Sequence, residues 1–195
     1  MRDSEQTKSR ILAAALDEFA DKGFAGTRVD EIGRRAGVNK AMIYYYFSSK
    51  EELFNELFRL EMEQLKQELG AVLNHTLTTP EDATRVTREF LTYIETKEKY
   101  LRVLMSSSLL SKDLQPHFFQ LLDLTTATGI DVARKEGLPE PGSMQDALLN
   151  ELFTGLLPLI GFVLLRDGLL AHYGWDRQGL NERFIAGWLR QHGAY

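Results

Sequence analysis

Apolar residues recur at helical spacing along almost the whole chain, and the alternating apolar and polar runs that mark strands are absent, so the pattern predicts an all-α protein. Ile11, Leu12, Ala15, Leu16 and Phe19 form the stripe of a first helix over 5–22, with Gly23 placed to end it. Thr27 followed by Asp30 reads as the capping start of a second helix, whose Val29, Ile32 and Ala36 face inward and which Gly37 interrupts. Asn39 then caps a short third helix that sets Ile43 and Phe47 one turn apart on one face. Ser48 with Glu51 opens a long helix over 49–74, where Phe54, Phe58, Met62, Leu65, Leu69 and Val72 run beside Leu53, Leu57 and Leu60. Two apolar faces on one helix suit a bridge whose first half closes a small N-terminal core and whose second half packs on a larger domain.

Thr79, Pro80 and Asp82 start the next helix, with Ala83, Val86, Phe90, Tyr93 and Ile94 as its stripe. Its end blurs into a short segment from Tyr100 to Met105, broken at Ser106–Ser108, and a further helix is expected over 114–136, up to the GLPEPGS loop. Ser143 and Asp146 restart a helix over 144–167 that is apolar around nearly its whole circumference, so it is expected to be buried on all sides, with Pro158 as a kink. Asp176 caps a terminal helix carrying Leu180, Phe184, Ile185, Trp188 and Leu189. The sum is about nine helices in two parts: residues 1–50, and residues 51–195.

At 195 residues, 44% hydrophobic and 26% charged, the chain has an ordinary globular composition, and its lack of cysteine removes disulfides, thiolate zinc sites and cysteine nucleophiles. The polar start lacks the apolar core of a signal peptide, and the longest apolar run, 156–165, is too short to span a bilayer, so a cytoplasmic protein with no membrane partner is expected. Net charge is -5, but residues 1–60 carry ten Lys/Arg against ten Asp/Glu, so bulk charge does not by itself point to nucleic acid.

The placement of residues does. Two short helices joined by a glycine turn and braced by a preceding helix make a helix-turn-helix, which places its second helix in the DNA major groove. Arg34, Arg35 and Lys40 flank the turn, Tyr44, Tyr45 and Tyr46 follow, and Lys50 stands at the next helix start, where the macrodipole disfavours a cation and a phosphate role explains it better. Tyr44 is open to two readings that can hold at once, completion of the core with Ile43 and Phe47 and contact with phosphate, whereas Arg34 and Arg35 read as solvated.

The order GVNKAMIYYYFSSKEELF resembles the recognition segment of the TetR family of transcriptional regulators, on Gly37, Asn39, Ile43, Tyr44, Phe47, Lys50 and Leu53. The preceding ILAAALDEFADKGFAGTRVDEIGRRAG resembles that family's first two helices through Phe19, Gly23, Phe24, Thr27, Ile32 and Ala36, so the likeness covers residues 8–58. Gly33 departs from it, standing where alanine is commoner and costing the helix about 1 kcal/mol. The resemblance implies a sequence-specific DNA-binding regulator, a repressor more readily than an activator, released from its operator by a small molecule. It implies phosphate contacts from Thr27, Tyr46 and Lys50, with Arg28, Asn39, Lys40, Ala41, Tyr44 and Tyr45 at the groove.

Beyond residue 58 only the layout is implied. In that layout the last two long helices form a homodimer interface, here through Leu156, Ile160, Val163, Phe184 and Trp188, with Gly155 and Gly161 allowing close approach. Phe90, Tyr93, Tyr100, Met105, Phe118, Phe119 and Phe162 either line a cavity for an apolar or aromatic effector or simply fill the core. A helical enzyme is the first rival, but His75, His117, His172 and His192 show no metal-binding spacing, and no cofactor or catalytic motif is present. A protein that uses its helix-turn-helix for docking to another protein is the second rival.

Overall fold

The computed structural model describes residues 2–72, 79–137, 139 and 141–191. Among them there is no strand, and the helices are α1 (Arg2–Gly26), α2 (Val29–Ala36), α3 (Lys40–Tyr46), α4 (Lys50–Val72), α5 (Pro80–Thr96), α6 (Glu98–Leu110), α7 (Gln115–Glu136), α8 (Met144–Asn150), α9 (Leu157–Tyr173) and α10 (Arg177–Gln191). A 3-10 turn, Lys112–Leu114, precedes α7, and a π turn, Glu151–Leu156, joins α8 to α9. These last two and the π turn run as one continuous helix, Met144–Tyr173. The predicted ends at residues 73 and 74, His75, His192, and Leu138 and Glu140 of the GLPEPGS loop lie outside the described residues.

Two compact units divide the chain, and neither is continuous in sequence: Met1–Leu65 with Lys99–Phe118, and Lys66–Glu98 with Phe119–Tyr195. In the first unit α1 and α4 close around Phe19, Phe24 and Phe54, whose rings lie 4.9–5.6 Å apart, and Phe54 stacks on Phe58 at 4.5 Å. Ile11, Ile32, Ile43 and Leu53 complete this core, each almost fully removed from water. Helix α6 belongs to the same unit: its Tyr100 ring lies 4.8 Å from Phe58, and Lys99 pairs with Asp17 of α1 at 2.6 Å. His117 packs on Phe58 and bonds Asn55 Oδ1 at 2.9 Å, and burial pushes its imidazole below the ordinary histidine range.

In the second unit α10 lies on α5, tied by a two-pronged pair between Arg88 and Glu182 at 3.0 Å. Phe162 of α9 stacks face to face on Phe184 of α10, with centroids 3.9 Å apart. Arg166, buried beside the Phe162 ring, is neutralised by Glu95 of α5.

Several starts follow the predicted capping. Thr79 accepts from the Asp82 N–H, Ser143 from the Asp146 N–H, and Asp176 from the Gly179 N–H. Elsewhere the cap moves. At α4 the hydroxyl that accepts from a backbone N–H is that of Ser49, not Ser48, and the acid that closes the box is Glu52, which takes the Ser48 N–H at 2.6 Å, not Glu51. The expected break at Ser106–Ser108 is also corrected: α6 runs through it, because Ser107 and Ser108 are buried within the helix and the Ser106 hydroxyl donates back to the Val103 carbonyl.

The helix expected to be buried on all sides is not. Leu149, Phe153 and Leu165 are 56%, 62% and 64% exposed, whereas Leu156, Ile160 and Val163 lie inside the core. Its irregularity is the π turn that ends just before Pro158, whose missing N–H removes one helical hydrogen bond at that point.

Candidate nucleic-acid interface

The turn between α2 and α3 is set by backbone bonds that only a left-handed residue allows. Gly37 adopts φ 67° and ψ 35°, its N–H meets the Arg34 carbonyl, and the Val38 N–H meets the Gly33 carbonyl at 2.9 Å. Gly33 thereby acquires a reason: a Cβ there would stand 2.9 Å from the Val38 carbonyl oxygen and 3.4 Å from Ile43 Cδ1. The glycine that looked like a loss of helix propensity lets the two helices close. Asn39 Oδ1 then accepts from the Met42 N–H at 2.8 Å and starts α3, as its sequence predicts.

Within α3, Ile43 turns inward with Phe47 just beyond, and the other face is left to solvent. Lys40 and Ala41 are exposed, Tyr44 is 45% exposed and Tyr45 78%. The Tyr44 ring is thus partly covered and partly open to solvent, which leaves room for both of its readings together. Arg28 is exposed at the cap of α2, where Glu31 accepts from its N–H.

Thr27 is a correction. It does not cap α2, and its hydroxyl, 2% exposed, donates to the Glu18 and Gly23 carbonyls at 2.9 and 2.8 Å, so it has neither surface nor proton left for phosphate. Lys50 sits over the Phe24 ring at 4.4 Å and donates to the carbonyls of Phe24 and Thr27 at 2.8 and 3.1 Å. Its place at a helix start thus has a structural cause, the closure of the α1–α2 connection, and one N–H of three remains. Tyr46 is half-buried, its hydroxyl 3.0 Å from that of Ser4.

Arg35, expected to be solvated, reaches back to α1, where it meets Glu18 at 3.2 Å and Asp21 at 3.1 Å; the Asp21 bond raises its pKa further. Lys22 joins Glu18 to Glu31, which holds the Glu31 carboxyl below the usual carboxylate range. Sequence reasoning had no view of this network, because apart from Lys22 and Glu18, neighbours on α1, its partners lie on different helices.

A short helix locked by a glycine turn, turning hydroxyl, cationic and small groups outward from a rigid aromatic core, defines a helix-turn-helix DNA-binding protein. Residues 11–57 match the model of the bacterial regulatory proteins of the tetR family. The chain is 48% identical over 61 residues to the transcriptional repressor SCO4008 of Streptomyces coelicolor, an alignment covering 31% of this chain and 32% of that one. It is 24% identical over 184 residues to the transcriptional regulator YhgD of Bacillus subtilis, covering 93% and 92%. Among solved structures, that of FadR from Bacillus subtilis in complex with stearoyl-CoA has the same fold, with a TM-score of 0.65, 18% identity and 95% of each chain covered. The likeness to the tetR family is carried by residues 11–57, and over its whole length the chain shares the fold of that solved regulator. It spans about a third of the SCO4008 repressor's length, so that likeness concerns the DNA-binding domain.

The residues expected further along are differently placed. Of the pocket candidates, Tyr100, Met105 and Phe118 lie in the first unit and Phe90, Tyr93, Phe119 and Phe162 in the second. Tyr100 and Phe162 are packed against Phe58 and Phe184, as core residues are, and Phe119 is half exposed. Two shallow, open hollows lie elsewhere, one along Pro80, Glu81, Thr84 and Arg88, the other along Glu18, Lys22, Glu31, Arg34 and Arg35. Of the dimer candidates, Leu156, Ile160 and Val163 are corrected: buried in their own chain, they have almost no surface to offer a second one. Phe184 and Trp188 are partly covered and pack on each other. Gly155 faces the carboxylate of Glu151 on its own helix, whereas the space above Gly161 is open.

Proposed function

We propose that this chain is a cytoplasmic, homodimeric repressor that binds an operator through α3 and leaves it when a small apolar or aromatic molecule binds the C-terminal part. The observation that carries the reading is the outward row of Lys40, Ala41, Tyr44 and Tyr45 on a helix held rigidly from behind by Ile43 and Phe47. Lysine can donate to guanine, and alanine or a tyrosine ring can meet a thymine methyl. Arg28, Tyr46 and the remaining N–H of Lys50 are assigned to phosphate.

Dimerisation is supported by Leu149, Phe153 and Leu165, large apolar residues exposed along one continuous helix. By length and composition that helix would also cross a membrane, but Arg166, in its last third, is buried and pairs with Glu95 within the chain, which favours a protein partner over lipid. Two recognition helices can hold two half-sites only about one DNA turn, roughly 34 Å, apart. A ligand that binds better to the state with other spacing shifts the population off DNA, and DNA must weaken that ligand reciprocally. The acyl-CoA bound to the B. subtilis FadR supports an apolar effector.

Binding of purified protein to promoter fragments from the gene's own neighbourhood, across a salt series, tests this reading. One fragment should be preferred, binding should weaken with salt, and Tyr45→Ala should reduce affinity roughly tenfold without altering thermal stability. No preference at any salt would sink the operator reading and favour docking to another protein.

A further inference from the structure

The balance of ten bases against ten acids before residue 61 is unusual for a surface that meets the phosphate backbone. The bases are largely committed within the fold. Lys8 pairs with Glu56, Lys22 with Glu18 and Glu31, Arg35 with Glu18 and Asp21, and Arg59 with Glu56 and Glu63. Lys50 is held by two carbonyls. On α3 itself Lys40 is the sole cation and there is no acid. Its ammonium is taken by both oxygens of Asp30 in the first turn of α2, at 3.2 and 3.3 Å. Glu31, the other acid of that turn, is occupied by Lys22 and the Arg28 N–H and leaves Lys40 to Asp30.

Both members of this pair are exposed, so it adds little to stability. What it changes is the set of acceptors Lys40 can meet. A neutral base-edge acceptor takes a remaining N–H of the ammonium beside the carboxylate without repulsion. A phosphate brings a second anion to the same ammonium, and must either displace Asp30 or stand against its charge. We propose that Asp30 is a specificity-determining residue of the DNA surface: it withholds Lys40 from backbone phosphate and reserves it for a neutral acceptor such as guanine O6 or N7. This rests on the reading of α3 as the recognition helix.

The test compares the parent, Asp30→Asn, Lys40→Gln and the double variant by fluorescence anisotropy. Each is measured on a promoter fragment that the parent prefers and on a scrambled duplex of equal length, over a salt series, with circular dichroism confirming the fold of each. Asp30→Asn should bind the scrambled duplex about tenfold tighter at low salt and steepen the salt slope by about one, the value of one added phosphate contact. The promoter should gain less, so the ratio of the two affinities falls about fivefold. In the Lys40→Gln background the same substitution should change affinity less than twofold. Unchanged affinities and parallel salt slopes in Asp30→Asn overturn the proposal, and so does an effect that persists undiminished without Lys40. A parent that prefers no fragment overturns the DNA reading and this inference together, whereas a selective parent matched by Asp30→Asn overturns this inference alone.

Discussion

Between Thr27 and Lys50 most of the polar side chains have an assigned partner: the Thr27 hydroxyl on two carbonyls, Arg35 on α1, Asn39 on the start of α3, Lys40 on Asp30, Lys50 on the α1–α2 connection. The helix from Met144 to Tyr173 has few polar side chains, and it buries Ile160 and Val163 while leaving Phe153 and Leu165 in water. The first region is held by directional bonds that admit one geometry. The second is held by apolar area, which is non-directional and leaves open which face the chain covers itself. That difference makes the first region a rigid platform for α3 and the second a surface suited to association.

The contrast is broken most forcefully by placing charge on the two faces of that helix. Ile160→Glu should cost on the order of 4 kcal/mol or more, because an unpaired carboxylate enters the core, while Phe153→Glu should leave thermal unfolding of the monomer unchanged and abolish self-association in sedimentation velocity. Equal damage to stability from both would show that the exposed face is not what the structure makes it.

Lys50→Ala sharpens the other side. Loss of two charge-assisted bonds to carbonyls should lower stability by about 2 kcal/mol in denaturant unfolding without any DNA present. A fully stable variant would return Lys50 to a role on phosphate alone. Gly33→Ala sets the roughly 1 kcal/mol gained in helix propensity against a Cβ facing a backbone oxygen at 2.9 Å. We expect a net loss of about 1 kcal/mol and weaker DNA binding, since α3 must shift to relieve the contact. A stabilised variant would show that the turn can yield.

The smallest effect concerns pH. Arg59, with Lys8 behind it, holds the Glu56 carboxyl down to about 2. A carboxyl lowered in the folded state contributes stability above its unfolded pKa, and this is lost as pH falls towards the folded value. Glu56→Gln should therefore flatten the acid limb of the stability profile between about pH 4.5 and 2, and leave its slope near neutrality unaltered. An identical acid limb would show that the pair is screened out by solvent.

Much of this was legible in the residues. The helical period, the caps at Asn39, Thr79, Ser143 and Asp176, and the αL position at Gly37 are local properties, because each depends on a residue and the backbone a few positions away. The inward Ile43 and Phe47 and the outward Tyr45 follow from the same local pitch. The misplaced cap at α4, by contrast, arose because Ser48 and Ser49 offer the same chemistry one residue apart, and only the backbone path selects between them. The sequence alone determined the helical class, the helix-turn-helix and the row of residues it turns outward, because periodicity and capping act within a turn or two. Tertiary structure alone decided that Thr27 and Lys50 are occupied inside the fold, that Asp30 holds Lys40, and which face of the 144–173 helix is buried. Those outcomes depend on partners distant in sequence, and no local period encodes which of several similar apolar faces or charges will meet.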